Sequence, residues 1–168
     1  MSTPARTSAK HSDGGLIDLE TMPGHFIRRL QQIAVAVFLE ETEAYGITPV
    51  QYAVLQTVRN SPNVDQRTLA ATIGFDTSTI AGVVDRLEGR QLLVRNTSTD
   101  DKRVRLLTLT PEGQTLLDAV IPAMLRAQVR MLAPLNEKQR AEFMKALRIL
   151  VKANNAVSRA PAQAKTGS

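Results

Sequence analysis

The sequence contains no cysteine and no tryptophan among its 168 residues, and aromatic residues make up only 4%. Without cysteine the chain has no disulfide, no thiolate metal ligand and no thiol nucleophile. Its two histidines, His11 and His25, would need carboxylates to complete a zinc site. The sequence also has no glycine-rich phosphate loop and no convincing pair of catalytic carboxylates. We therefore predict no metal, no cofactor and no enzymatic activity.

Long hydrophobic runs are also missing. No apolar segment approaches the roughly 20 residues that a membrane-spanning helix needs. The first ten residues are polar and basic with no apolar stretch behind them, so a secretory signal is not expected. We expect a cytoplasmic protein that does not bind membranes. The scarcity of aromatic residues also disfavours single-stranded nucleic acid, whose binders stack bases on aromatic side chains.

Positive charge is in excess. The chain has 21 Lys and Arg against 16 Asp and Glu, a formal net charge of +5 and a pI near 10.0. Between positions 86 and 105 there are six basic residues and three acidic ones. A local excess of this kind favours a polyanionic partner, and double-stranded DNA is the partner we predict.

Most of the chain has helical periodicity. A first helix is predicted from about Pro23 to Tyr45, with Gly46 as its terminator. The sequence predicts further helices at 48–60, 66–73 and 77–90, one from 110 that Pro122 kinks or splits before Pro134, and a last one beginning at Asn136. In the last helix, Gln139 is the expected capping partner of Asn136, and the expected buried residues are Phe143, Leu147, Leu150 and Val151.

The centre of the sequence predicts a winged helix-turn-helix. Helices 66–73 and 77–90 are joined by the turn Gly74–Asp76, and Asp76 is placed to cap the second helix. Strand-like runs at 93–97 and 103–110 flank a polar loop, as in a hairpin. On the second helix, the face opposite the apolar stripe carries Ser78, Gly82 and Asp85, with Arg86 at its edge. A recognition helix presents such a face to the major groove.

These elements define the predicted fold class: mainly α with a small β-hairpin wing (α+β). A winged-helix core of about 70 residues is too small to cover the apolar stripes of the terminal helices, so we expect a homodimer. The predicted organisation is a disordered tail (1–15), an N-terminal dimerisation helix (16–46), the winged helix-turn-helix (47–110), C-terminal dimerisation helices (111–153) and a second disordered tail (154–168).

Three sequence motifs resemble the MarR family of bacterial transcription regulators. They are Val83-Val84-Asp85-Arg86-Leu87-Glu88, Asp101-Lys102-Arg103 and Leu109-Thr110-Pro111-Glu112-Gly113, in the order and spacing of that family. The specific match covers about residues 47–115. The resemblance implies a triangular homodimer on a palindromic operator, cytoplasmic and associated with the nucleoid when bound.

The resemblance also implies roles in the wing. Arg103 matches the residue that reaches the minor groove, and Asp101 matches the carboxylate that holds it by an ion pair. A narrow minor groove attracts such a charge. Two positions depart from the family pattern: Gly82 stands where many members have a basic or polar base reader, and Gln91 replaces a glycine expected in a left-handed conformation.

Eight residues are predicted to contact DNA: Thr77, Ser78, Thr79, Gly82, Arg86, Lys102, Arg103 and Arg105. Alternatives remain for several of them. Arg86 contacts DNA or is paired with Asp85 or Glu88. The hydroxyls of Ser78 and Thr79 contact DNA or only support the helix N-terminus, with contact favoured for Ser78.

A second group of residues near the first helix is predicted to bind a small effector. His25, Arg28 and Arg29 suit an aromatic carboxylate or a phenol, and Tyr45 and Tyr52 would line the same cleft. The alternative is a surface histidine, surface arginines and core tyrosines.

Two functions follow. The favoured one is a ligand-responsive regulator, a repressor that a small aromatic acid or phenol releases from DNA through a shift between conformations. The other is an architectural or accessory binder of double-stranded DNA that responds to no ligand.

Overall fold

The computed structural model describes residues 18–99 and 101–158. Six α-helices account for most of this part of the chain: α1 (Pro23–Glu41), α2 (Pro49–Asn60), α3 (Gln66–Ile73), α4 (Thr77–Gly89), α5 (Pro111–Met131) and α6 (Glu137–Ser158). Short 3-10 turns occur at Leu19–Thr21 and Glu43–Tyr45. The predicted tail 1–15, residues 16–17, Asp100 of the wing loop and residues 159–168 lie outside the described residues.

In the described part of the chain, a small antiparallel sheet has three strands, two between α4 and α5 in the chain and one between α2 and α3. Strands β2 (Leu93–Thr97) and β3 (Arg105–Leu109) form the predicted hairpin, and β3 also pairs with β1 (Val64–Asp65). The pairing register places Arg95 opposite Leu107, and Leu107 opposite Val64 on the other side. The sequence prediction began β3 at residue 103, but Arg103 belongs to the loop. It did not predict β1, because two residues are too few for a strand pattern.

Helices α2, α3, α4 and α5 and the sheet enclose one apolar core. Its largest fully buried side chains are Leu55, Leu69, Ile80, Leu87, Leu93, Leu107 and Leu117. The predicted stripe of α4 is buried as expected, since Ile80, Val83, Val84 and Leu87 recur at helical spacing. The mainly α fold with a winged helix-turn-helix is therefore confirmed.

Capping residues begin the helices where the sequence predicts. The Thr48 hydroxyl accepts from the backbone N–H of Gln51 at 3.3 Å, and Oε1 of Gln51 accepts from the N–H of Thr48 at 3.0 Å. Asn136 and Gln139 form the same reciprocal pair at 3.0 Å each way. Each pair satisfies two N–H groups that a helix start leaves without intrahelical partners.

Helix α5 continues through Pro122, so the proline does not split the segment, which is one of its two predicted effects. The proline removes one backbone hydrogen bond donor. Val120 and Ala123 on either side of it are fully buried, and α5 packs along α1. Burial of the flanking turns offsets the lost bond, so the segment is a single helix.

Helix α6 is longer and less covered than the sequence predicts. It extends to Ser158, so residues 154–158 are helical and not part of a disordered tail. Phe143 and Leu147 are half-buried, whereas Leu150 and Val151 are 52% and 67% exposed. The predicted burial of these two residues is wrong for a single chain, since α6 makes no extensive contact with the other described elements.

Candidate nucleic-acid interface and effector site

The first turn of α4 is organised by Asp76. Its carboxylate accepts from the backbone N–H of Thr79 at 2.7 Å, from the Thr79 hydroxyl at 2.6 Å and from the Ser78 hydroxyl at 2.5 Å. The side-chain bonds from Ser78 and Thr79 lower the pKa of Asp76 well below its usual range. In the structure the hydroxyl protons of Ser78 and Thr79 are therefore both donated to the capping residue Asp76. Support of the helix N-terminus is the alternative to DNA contact that the sequence left open for these two residues. Thr77, Ser78 and Thr79 are all exposed.

The outer face of α4 carries one cation, Arg86, that has no ion-pair partner among the described residues. Arg86 is exposed and lies one turn after Gly82, which is half-buried. Asp85 and Glu88, the sequence-predicted partners of Arg86, both form ion pairs with Arg95 of β2. Within residues 18–99 and 101–158, no ion pair involves Arg86.

Arg95 was not recognised from the sequence as a structural residue. One guanidinium nitrogen contacts Asp85, another lies 3.4 Å from Oε2 of Glu88, and the backbone N–H of Arg95 donates to Oε1 of Glu88 at 3.2 Å. The side chain is 24% exposed. Arg95 thus fixes the wing to the recognition helix and neutralises carboxylate charge on that helix, which reduces its repulsion of a polyanion.

The wing places Arg103 at an exposed tip. Its guanidinium binds Asp101 with two nearly parallel bonds, Nε to Oδ1 at 3.2 Å and Nη2 to Oδ2 at 3.1 Å. These contacts lower the pKa of Asp101, so the carboxylate stays ionised. The Arg103 side chain is nevertheless 91% exposed. The pair orients a cation without burying it, as a minor-groove probe requires.

The other two predicted wing cations differ from each other. Lys102 is exposed at the tip. Arg105 donates from Nη1 to the Thr97 hydroxyl at 2.9 Å and to the Lys102 carbonyl at 3.0 Å. Arg105 therefore braces the hairpin across its strands while its charge remains at the surface.

A groove joins α3, α4 and the wing. Its lining comprises Asp65, Gln66, Arg67, Thr68, Thr77, Arg103, Val104 and Arg105. Arg67 is a cation of this groove that the sequence does not single out. Its position in the first turn of α3 was visible, but the wing's proximity to that turn depends on the pairing of β1 with β3. The groove concentrates three arginines between the recognition helix and the wing, where a DNA backbone would pass.

The structure does not bring the predicted effector residues together within one chain. Tyr52 packs against Phe38, with ring centroids 5.9 Å apart. His25 lies thirteen residues earlier on α1, which corresponds to about 20 Å at the rise of an α-helix. A single small ligand cannot touch both residues of one protomer. Tyr45 and Tyr52 pack on the core, as the alternative reading expects.

Near the start of α1 the arginines face different surroundings. Nη1 of Arg28 donates to Oε1 of Gln32 at 3.1 Å. Arg29 lines an apolar groove with residues of α1, α5 and α6, among them Phe26, Leu30, Phe143 and Leu147. His25 meets the edge of the Phe26 ring, with centroids 5.6 Å apart. This end of α1 thus combines cations with exposed aromatic and aliphatic surface.

A polar network links α2 to α5 beside Tyr52. Nη1 of Arg59 binds Oδ1 of Asp118 at 2.7 Å, and Nη2 donates to Gln56 at 3.3 Å. The Tyr52 hydroxyl also donates to Gln56 at 3.3 Å. Partial burial raises the pKa of Tyr52, and the nearby Arg59 opposes that shift. The network couples the DNA-binding lobe to the long helix α5.

In residues 18–99 and 101–158, no group of His, Cys, Asp or Glu is arranged to hold a metal ion. Within the same ranges, no helix is long and apolar enough to cross a membrane.

The chain is similar to known proteins both in its central part and over most of its length. The family model described as "MarR family" matches residues 47–104. The transcriptional repressor NicR of Pseudomonas putida is 28% identical over 151 residues, which cover 90% of this chain and 96% of NicR.

Solved structures agree with the sequence matches. The regulator PcaV of Streptomyces coelicolor, in complex with its natural ligand, is 37% identical with a TM-score of 0.75, covering 83% of this chain and 98% of PcaV. BpsR of Bordetella bronchiseptica, whose DNA binding is regulated by 6-hydroxynicotinic acid, is 28% identical with a TM-score of 0.77, covering 81% of this chain and 97% of BpsR.

Proposed function

Because the chain belongs to the MarR family of transcription regulators, we propose that it is a repressor that binds a palindromic operator as a homodimer. A small aromatic acid or phenol releases it from that operator. The observation that carries the DNA part is the cationic surface formed by α4, the wing and the first turn of α3. On it, Arg103 is 91% exposed yet oriented by Asp101.

The contact roles follow from these positions. Helix α4 enters the major groove with Thr77, Ser78, Thr79, Gly82 and Arg86 on its outer side. Arg103 enters the minor groove, while Lys102, Arg105 and Arg67 contact phosphates. The hydroxyl protons of Ser78 and Thr79 are held by Asp76, so these two residues contribute oxygen acceptors and the backbone of the helix start.

The test is binding of the full chain to duplex DNA from the flanks of its own gene, followed by fluorescence anisotropy. We expect tight binding that weakens steeply as salt rises, because phosphate contacts release counterions. Scrambled duplex of the same length is the comparison. Equal affinity for both duplexes would contradict the regulator and support an architectural binder.

Removing the wing cation is expected to weaken operator binding. We predict that Arg103→Ala lowers affinity by about 10- to 100-fold, since an arginine that contacts bases contributes about 1–3 kcal/mol. Asp101→Asn should lower it less, because the arginine remains but loses its ionic partner. Lys138→Ala, on the exposed first turn of α6, is the matched loss of one positive charge and should leave affinity unchanged. A similar loss of affinity in Lys138→Ala and Arg103→Ala would mean that operator binding depends on net charge and not on a specific contact of Arg103.

The effector part rests on the cations at the start of α1 and on the relatives. BpsR responds to an aromatic acid. Because His25 and Tyr52 are too far apart in one protomer, we place the pocket at the subunit boundary, where the α1 helix of a second copy completes it.

For the effector, we predict that one compound from a panel of aromatic carboxylates and phenols dissociates the DNA complex. Arg29→Ala should raise the concentration of acid needed by at least about 10-fold, because a charged hydrogen bond is worth about 1.5–3 kcal/mol. It should leave DNA affinity without effector unchanged. An unaltered acid response in Arg28→Ala, Arg29→Ala and His25→Ala would exclude this pocket.

A further inference from the structure

Gly82 and Arg86 lie one helical turn apart on the outer side of α4. Gly82 has no side chain, and a β-carbon built on it would lie 3.8 Å from Nη1 of Arg86. The Arg86 guanidinium therefore folds back over the Gly82 backbone, toward the N-terminal end of the helix. Side chains of α-helices lean in this direction. The end of Arg86 thus occupies the space that a side chain at position 82 would fill.

The guanidinium in this position has its donors available. Asp85 and Glu88 are its nearest acidic neighbours in sequence, and Arg95 holds both of them on the wing side of the helix. Over the described ranges, the Arg86 side chain has neither an ion pair nor a hydrogen bond. A guanidinium offers five donors in a rigid planar fork. Here that fork lies on the middle of the exposed helix face.

We infer that Arg86 is the base-reading residue of α4, that it recognises a guanine in the major groove, and that Gly82 provides the seat for its guanidinium. Guanine presents the O6 and N7 acceptors, which a guanidinium binds with two parallel bonds. This assignment rests on the proposed operator binding and adds to it the residue that sets specificity and the base that it reads. Arg95 acts as a positioning residue, because it keeps Asp85 and Glu88 from pairing with Arg86.

Substitutions of Gly82 should affect the position of the Arg86 guanidinium according to the size of the new side chain. A distance of 3.8 Å is ordinary van der Waals contact, so alanine at position 82 leaves the guanidinium where it is. A leucine fills the seat and moves the guanidinium away from it. Gly82→Ala is therefore the milder of the two substitutions, and both favour the helix over glycine.

The experiment compares operator preference among variants of the full chain. The preferred sequence is selected from random duplexes with the wild-type protein, and affinities are then measured for every single base-pair change. We expect one guanine per half-site whose replacement costs wild-type protein about 10- to 100-fold. Arg86→Ala, Arg86→Lys and Gly82→Leu should lose discrimination at that base pair and keep it elsewhere. Gly82→Ala should lose less of this discrimination than Gly82→Leu does.

Two results would overturn the assignment. One contradicts only the base-reading role of Arg86, and the other contradicts operator binding as well. If Arg86→Ala weakens binding to all duplexes by the same factor and reduces the salt dependence, Arg86 contacts a phosphate and does not read a base. If wild-type protein selects no sequence over scrambled DNA, the proposed operator binding fails together with this inference. Melting temperatures and circular dichroism of each variant show whether the fold is kept.

Discussion

Replacing Gly113 with alanine is expected to destabilise the fold by about 3 kcal/mol, the upper end of the cost of overpacking. A β-carbon at this position would lie 1.8 Å from the carbonyl oxygen of Leu92 and 2.8 Å from its carbonyl carbon. The obstacle is backbone, which cannot rotate away as a flexible side chain does. Helix α5 and the segment before β2 must therefore separate.

The contact lies where the wing joins α5. The Thr110 hydroxyl accepts from the Gly113 N–H at 2.9 Å and donates to the Gln91 carbonyl at 2.6 Å. Gln91 has a left-handed backbone with φ of 58°. This is the conformation predicted for the position, where the family pattern has glycine. Moving α5 outward would break this cap and loosen the strand that carries Arg95. The substitution should therefore reduce DNA binding as well as stability.

Thermal and urea unfolding at fixed protein concentration measure the effect. We expect the Tm of Gly113→Ala to fall by about 10 °C, given about 2–4 °C per kcal/mol for a chain of this size. Gly89→Ala is the matched control, since a β-carbon there meets nothing within 4 Å. That variant should melt at or slightly above the wild-type temperature, because alanine favours helix. Equal melting of the two variants would mean that the close approach is absent in solution.

The parts of the fold that the sequence predicts are those with local causes. Asp76 caps α4, and Gly74 takes the left-handed conformation with φ of 76° that ends α3. Both features depend on residues within four positions of each other. Helical periodicity likewise gave the buried stripe of α4 and the bounds of α2 and α3. Local propensity and tertiary packing agree at these places, so the pattern is sufficient.

The errors arise where distant packing decides. Pro122 should interrupt a helix by local rules, but the buried residues around it hold α5 together. Strand β1 forms only because β3 passes beside it, and no property of Val64 or Asp65 reveals that partner. The same pairing brings Arg67 close to the wing. The function of Arg95 depends on its contact with Asp85 across ten positions and two elements.

The candidate effector residues show a different limit. In the sequence His25 lies close to arginines and to Phe26. In the structure His25 is near the start of α1, whereas Tyr52 packs against Phe38 near its other end. A sequence pattern records which residue types are close along the chain. It does not record which end of a long helix meets which neighbour, and still less a neighbour from a second copy. Prediction of this site therefore needs the assembly as well as the fold.

Introducing a charge on the apolar side of α6 is expected to abolish high-affinity operator binding without unfolding the chain. Phe26, Ile33 and Leu150 are 47%, 48% and 52% exposed. With Leu30, Phe143 and Leu147 they line one open groove. Exposed apolar surface of this extent marks an interaction site, and we propose that a second copy covers it. Leu147→Glu places a carboxylate in this groove.

The loss on DNA follows from bivalency. Two linked recognition helices bind two half-sites with an avidity that exceeds single binding by about 100- to 10,000-fold. A monomer retains one α4 and one wing, so Leu147→Glu should bind the operator at least about 100-fold more weakly. Sedimentation should show a monomer, and circular dichroism should show an unchanged helical content.

Ala141→Glu is the matched control for this variant. It introduces the same charge on α6. At 100° per residue position 141 lies about 120° around the helix from Leu147, on the side away from the groove-lining residues Phe143, Ala146 and Leu150. Ala141 is exposed, and the Ala141→Glu variant should remain dimeric and bind the operator like the wild type. A Leu147→Glu protein that stays dimeric would place the subunit contact elsewhere. One that is monomeric yet binds the operator at full strength would show that a single winged helix is sufficient, and the palindromic operator would lose its physical basis.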